Sequence, residues 1–179
     1  LEDEDLHLAI LIDCSSSMDY GSPNKFRYAQ RIAAALGYIG LANYSRVSIA
    51  GFNSDIVSNF QPARGKKSVH KMFRFIRELE PSGETDLSQA TRVFSLQNKN
   101  KGIAILISDF MDRNGYESAV NSMLARKNDV FCLHLMSEQE LNPPLTGDLK
   151  LLDIELGEET DITVSGPLLA SYKKVLNSF

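Results

Sequence analysis

The 179-residue sequence predicts a doubly wound α/β domain. Its expected centre is a mostly parallel sheet of about six strands with one antiparallel edge strand and helices on both faces. Three observations lead there. Short apolar runs alternate with helical patterns, the rhythm of strand–helix–strand units. The first run, Leu6–Ile12, reads as apolar on both faces, as a central parallel strand must be. Only Asn53-Ser54 separates the second run from the third, which suffices for a hairpin but not for a parallel crossover.

The elements follow in order. After the first strand, Ser22 and Pro23 read as the cap and first position of a helix. Its inward face carries Phe26, Ala29, Ile32, Ala33, Leu36, Ile39 and Gly40 at three- and four-residue spacing. Arg46–Phe52 is a second strand, and Asp55–Phe60 the short antiparallel edge strand. Ser68–Leu79 is a helix with Val69, Met72, Phe73, Ile76 and Leu79 inward. The turn Pro81-Ser82-Gly83 leads into a helix ending near Gln97. Gly102–Ile107 is a strand, Gly115–Lys127 a helix, and Val130–Met136 a strand. Asn142-Pro143-Pro144 breaks the chain. Leu149–Leu156 and Asp161–Val164 then resemble a hairpin, and Pro167 opens a last helix running to Phe179.

One domain is expected over residues 1–179, with the hairpin and final helix at about 149–179. The opening Leu1-Glu2-Asp3-Glu4-Asp5, without methionine, reads as the start of a piece excised from a longer chain. The net charge of -4 argues against a nucleic-acid partner. The densest basic stretch, Arg64-Gly65-Lys66-Lys67 with Lys71, Arg74 and Arg77, reads as a solvated helix face. Cys14 and Cys132 give neither a disulfide framework nor a zinc spacing, and both read as buried free thiols of a reducing compartment. No apolar run approaches the roughly 20 residues that span a bilayer, so no membrane contact is expected within this segment.

The chemistry is concentrated in Asp13-Cys14-Ser15-Ser16-Ser17, directly behind the first strand. Ligands of open α/β sheets bind at the carboxyl ends of the strands. Two further loops supply oxygen donors: Thr85 in Gly83-Glu84-Thr85-Asp86-Leu87, and Asp109 after Ile107-Ser108. Carboxylates and hydroxyls are hard ligands of the kind magnesium prefers, with manganese or calcium as alternatives. The predicted metal ligands are therefore Asp13, Ser15, Ser17, Thr85 and Asp109. Ser15 and Ser17 are expected to bind directly, Thr85 directly or through water, and the aspartates mainly through water. That leaves about one position open for an incoming carboxylate. Asp86 reads equally as a hydrogen-bond acceptor behind the ligands or as a first-turn acid of its helix. Phe110 and Met111 read as an exposed rim or as core. Asp19, Asn53 and Asp112 read first as ordinary loop residues and otherwise as the rim of the site, and His7, His70 and His134 as structural.

These residues carry a resemblance. Asp13-x-Ser15-x-Ser17, Thr85 and Asp109, in that order on an α/β rhythm, resemble the metal-ion-dependent adhesion site of von Willebrand factor type A domains, which implies a three-layer Rossmann-like fold. A closer resemblance takes in Met18, Pro23-Asn24-Lys25-Phe26, Gly83-Glu84-Thr85-Asp86-Leu87, Ile107-Ser108-Asp109-Phe110, Gly147-Asp148-Leu149 and Leu152-Asp153-Ile154-Glu155. It points to the bacterial domain-of-unknown-function 58 family, whose members are encoded beside MoxR-type AAA+ ATPases. That resemblance implies a cytoplasmic, non-enzymatic assembly factor that grips a partner's Glu or Asp and acts with such an ATPase. Full-length members sometimes carry membrane segments upstream, which would anchor the chain at the cytoplasmic face of the inner membrane.

Enzymatic readings find little support. No G-x-G-x-x-G follows the first strand, and neither a Walker lysine motif nor G-x-S-x-G is present. No histidine stands near Ser15 or Ser17 to serve as a base. Magnesium-dependent phosphoryl transfer on Asp13 is the enzyme alternative. It needs a cation for the phosphate, and the nearest, Lys25, already lies inside the first helix. A metal-free scaffold is the third reading.

Overall fold

The computed structural model describes residues 6–98, 101–155 and 157–176. Leu1–Asp5, Leu156 and the expected end of the last helix at Phe179 fall outside them. Five strands form the central sheet: β1 (His7–Asp13), β2 (Arg46–Phe52), β3 (Ile56–Ala63), β4 (Ile103–Ser108) and β5 (Asp129–His134). Their spatial order is β3-β2-β1-β4-β5. β1 pairs in parallel with both β2 and β4, β4 in parallel with β5, and β3 antiparallel with β2. The expected edge hairpin is therefore present, its second strand longer than Asp55–Phe60.

The expected sixth strand is not in this sheet. Among the described residues, β6 (Gly147–Leu152) and β7 (Glu159–Val164) pair only with each other, as the antiparallel hairpin expected there and as a separate two-stranded sheet. A hairpin returns its chain antiparallel to itself. Its side chains are mostly exposed, so no apolar face draws it onto β5.

Helices cover both faces of the central sheet. α1 (Lys25–Ala42) and α2 (Val69–Glu78) pack on one side, where Leu8, Ile10 and Ile12 of β1 meet Phe26, Ala29, Ala33 and Met72. α3 (Leu87–Gln97) and α4 (Glu117–Leu124) pack on the other, where Ala9 and Leu11 meet Leu87, Ala90, Phe94 and Met123. β1 is buried along its whole length, which explains its unbroken apolar sequence. A short α5 (Glu138–Leu141) and α6 (Gly166–Leu176) complete the chain.

α1 lies unusually close to the sheet. A Cβ at Gly40 would stand 2.7 Å from Val47 Cγ2 and 2.9 Å from Leu8 Cδ2, so a larger residue there must push these side chains aside. The helix starts two residues later than the sequence suggests. Asn24, not Ser22, is its cap, with Asn24 Oδ1 accepting the Arg27 N–H at 2.9 Å. Ile39 and Phe73 were expected inward but are exposed, because helical phase turns them off the faces that Gly40 and Met72 define. Cys132 is likewise exposed: β5 is an edge strand whose outer face no helix covers fully. The Gly115–Lys127 helix is shorter, confined to α4.

Candidate functional site

β1 and β4 are neighbours, and the chain leaves β1 toward β2 on one side of it and β4 toward β5 on the other. Such a switch point opens a crevice at the carboxyl ends of the two strands. Asp13 ends β1, and Asp109 directly follows β4.

The β1 loop is fixed from inside. Met18 and Cys14 are fully buried, and the Cys14 N–H donates to the Phe52 carbonyl at 2.6 Å. Burial and the neighbouring Asp13 push the Cys14 thiol up to about 12, which leaves it a packing group. With Cys14 turned inward, the Ser15 N–H closes onto Asp13 Oδ1 at 2.9 Å, and Ser15 Oγ lies 3.0 Å from Ser17 Oγ. The Ser16 N–H donates to the Gly83 carbonyl (2.9 Å) and the Ser82 N–H to the Cys14 carbonyl (2.7 Å), joining this loop to the one that carries Thr85.

The second oxygen of Asp13 accepts the Ser108 hydroxyl at 2.6 Å. Ser108 Oγ in turn accepts the Phe110 N–H at 2.9 Å. Phe110 has φ of 56°, a left-handed conformation rarely adopted outside glycine. Its buried ring makes the position tenable, packing edge-on against Tyr116 (centroids 6.0 Å) and His134 (5.8 Å). This turn sets Asp109 beside Asp13. Asp13 is fully buried, and burial foremost, with Asp109 adding to it, raises its carboxyl to about 7 against the pull of Ser108 and Ser15.

Asp109 is held at both oxygens. Oδ1 accepts the Met111 N–H at 3.1 Å, and Oδ2 accepts Lys25 Nζ at 2.9 Å. Lys25 also donates to Glu140 Oε1 at 2.5 Å. Glu140 is fixed by a capping box with Ser137 at the start of α5. Burial works against the Lys25 charge, but Asp109 and Glu140 outweigh it and raise its pKa. Lys25 is therefore an internal countercharge, closed off from solvent.

Thr85 is engaged by a third carboxylate. Its N–H and Oγ1 donate to Glu155 Oε2 (3.2 Å) and Oε1 (3.3 Å). Ser17, Thr85, Met111, Asp112, Arg113 and Glu155 line part of one cavity of ≈ 390 Å³. All five residues singled out in the sequence thus lie in one connected neighbourhood: Asp109 beside Asp13, Asp13 bonded to Ser15, Ser15 to Ser17, and Ser17 across the cavity from Thr85. No group of three or more His, Cys, Asp or Glu able to hold a metal occurs among the described residues, so any ion here would depend on the three hydroxyls.

The open alternatives resolve. Asp86 caps α3, accepting the Gln89 N–H at 2.7 Å. Phe110 is core, while Met111 is exposed on the rim. Asp112 is more than a loop residue: it accepts the Leu87 N–H at 2.7 Å and fastens the β4–α4 loop to α3. Asn53 donates to the Ser82 carbonyl, and Asp19 accepts from Asn24. His7 Nε2 lies 3.0 Å from Ser48 Oγ, a core contact, with its pKa lowered by burial and by Arg46. Sequence reasoning missed Ser108, Glu140 and Glu155 as partners of the site and took Lys25 for a helix residue without a role there. For Lys25 a signal existed, since a lysine at the first turn of a helix opposes the helix dipole and asks for a partner.

The family model described as "Protein of unknown function DUF58" matches residues 1–175. Uncharacterized proteins of Mycobacterium bovis and Mycobacterium tuberculosis are each 24% identical over 173 residues, covering 94% of this chain and 54% of theirs. The chain thus spans about half the length of these relatives. Among solved structures, an aerotolerance-related membrane protein from Bacteroides fragilis is 18% identical with a TM-score of 0.61, over 96% of this chain and 88% of that one. Proximal thread matrix protein 1 of the mussel byssus is 16% identical with a TM-score of 0.58, over 73% of this chain and 38% of that one. At these identities the likeness is one of fold. No helix among the described residues is long and apolar enough to cross a membrane.

Proposed function

The chain belongs to the DUF58 family, and from that premise we propose that it is a non-enzymatic, magnesium-dependent protein-interaction domain of the von Willebrand factor type A kind, which grips an acidic side chain of a partner. The observation that carries this reading is the pair of hydroxyls of Ser15 and Ser17, 3.0 Å apart. Two neighbouring oxygens of an octahedral magnesium, with bonds of about 2.0–2.1 Å, stand about 3 Å apart. Thr85 is the third hydroxyl.

The aspartates support the same division of labour. Both oxygens of Asp13 and both of Asp109 already accept protein hydrogen bonds. Buried and held at both oxygens by contacts no longer than 3.1 Å, they suit an outer role, through water, better than direct ligation. When bound, the ion supplies a Lewis-acidic position for a carboxylate. The protein's part is to present hydroxyls that do not neutralise the ion and acids that hold its water. Burial foremost, with Asp109 beside it, raises the Asp13 pKa to about 7, and a cation held nearby would favour its ionised form.

The resemblance to proteins encoded beside MoxR-type AAA+ ATPases supports a role in complex assembly with such an ATPase at the cytoplasmic side. The Bacteroides fragilis neighbour is a membrane protein, which fits anchoring of a longer chain there. Phosphoryl transfer on Asp13 is disfavoured by Lys25, whose buried ammonium is committed to Asp109 and Glu140 and is not presented to an incoming phosphate.

Calorimetry with magnesium on this domain and on Asp13→Ala tests the reading. Binding by the parent and loss in the variant are expected. No heat of binding in the parent would favour the metal-free scaffold, and acyl-phosphate trapped at Asp13 the enzyme.

A further inference from the structure

Glu155 brings a carboxylate of the chain itself to Thr85. It belongs to the tip that joins β6 to β7, and its two oxygens are taken by the N–H and hydroxyl of Thr85. The same carboxylate lines the ≈ 390 Å³ cavity that Ser17 and Thr85 share. We propose that Glu155 is an internal ligand of the site: in the absence of a partner the hairpin tip supplies the carboxylate that closes the open position, and a partner's acidic residue must displace it. This inference rests on the metal-dependent reading above.

The tip is built to be held in this position and to be released from it. Asp153 Oδ1 accepts the Glu155 N–H at 2.9 Å, a local turn that aims the Glu155 side chain. Asp153 Oδ2 accepts Arg113 Nη2 at 2.8 Å, and the same guanidinium stands 3.7 Å from Glu158. Arg113 lies four residues beyond Asp109, on the loop that Asp112 ties to α3. The tip therefore docks on the two loops that carry Thr85 and Asp109.

Among the described residues the hairpin pairs with no other strand, and its residues are mostly exposed. A two-stranded hairpin is marginally stable alone, and the exposed Arg113 pair is a weak tether. A tethered carboxylate acts at an effective concentration on the order of millimolar. It suffices to shield the site from stray acids yet yields to a partner that brings further contacts. The Asp153-Ile154-Glu155 tip also indicates what such a partner presents: a Glu on a short acidic turn.

The test uses Mn2+ alone as probe. Its affinity and the number of exchangeable waters on the ion are read by water-proton relaxation in the parent, Glu155→Gln and Arg113→Gln. Hydrogen exchange of the central strands checks that each variant is folded. Glu155→Gln is expected to weaken Mn2+ about tenfold and to add one exchangeable water, with Arg113→Gln shifting both in the same direction. If parent and Glu155→Gln bind Mn2+ with equal affinity and hydration, the internal ligand is overturned and the metal-dependent site stands. If neither binds Mn2+, the metal-dependent reading falls, and this inference with it.

Discussion

Lys25 Nζ lies 2.9 Å from Asp109 Oδ2, and both side chains are only 2% exposed. A helix that packs on one face of the sheet thus delivers a buried cation to an acid at the end of β4. Removing one partner of such a pair leaves the other charged and desolvated, which costs more than the pair itself contributes.

Lys25→Met is expected to lower metal-free stability by about 3–5 kcal/mol, read as a denaturant midpoint in chelator. Magnesium should then stabilise the variant more than the parent, because the ion supplies the missing charge beside Asp109. Equal magnesium increments in both proteins would separate Lys25 from the electrostatics of the site.

Asp13 sets a pH dependence with a definite sign. Its folded pKa of about 7 lies above the ordinary 3.8. The folded state therefore holds this proton more tightly than the unfolded state. The cost of ionising Asp13 is absent below about pH 4 and complete above about pH 7, so metal-free stability should fall across that window. The full effect is on the order of 4 kcal/mol at about 1.4 kcal/mol for each unit. Asp13→Asn should flatten the profile measured in chelator at pH 5, 6, 7 and 8, and saturating magnesium should flatten that of the parent. A parent profile unchanged by Asp13→Asn would mean that Asp13 is ionised in the fold.

The three serines of the β1 loop should separate. Ser15→Ala and Ser17→Ala are each expected to weaken magnesium at least about tenfold, whereas Ser16→Ala should leave it unchanged. Ser16 contributes its backbone N–H to Gly83, which alanine keeps. Calorimetric titration of the three variants checks the order, and equal losses would contradict the assignment.

Gly40→Ala probes the fold away from the site. The new methyl would fall 2.7 Å from Val47 Cγ2, and either the Val47 and Leu8 side chains or α1 must shift to admit it. A loss of about 1–3 kcal/mol is expected, with magnesium affinity retained. Loss of affinity without loss of stability would show that α1 positions the site more tightly than its packing implies.

The pattern of the core was legible because burial repeats along the chain. An unbroken apolar run could only be the central β1, and two residues between β2 and β3 could only make a hairpin. The sheet count was less legible. Leu149–Leu156 and Asp161–Val164 were legible as a hairpin, but not that β6 stays outside the central sheet, where a local hairpin forms without the loop-closure cost of joining β5. Cys132 misled for a related reason: β5 alternates like a half-covered strand, and sequence does not say which edge lacks a cover.

The candidate ligands were legible for a different reason. Asp13, Ser15 and Ser17 are neighbours in sequence, and Thr85 and Asp109 open the loops after recognisable turns and strands. Sequence alone therefore determined which oxygen donors reach the carboxyl edge of the sheet. Only the tertiary structure decided what meets them there: Lys25 on Asp109 with Glu140 behind it on Lys25, Ser108 on Asp13, and Glu155 on Thr85. Each of those pairs joins residues 70 or more positions apart, apart from the short capping contacts around Glu140. Local propensity carries no information about such distant partners. They are selected when packing brings desolvated charges and hydrogen-bond donors together and leaves each in need of a partner.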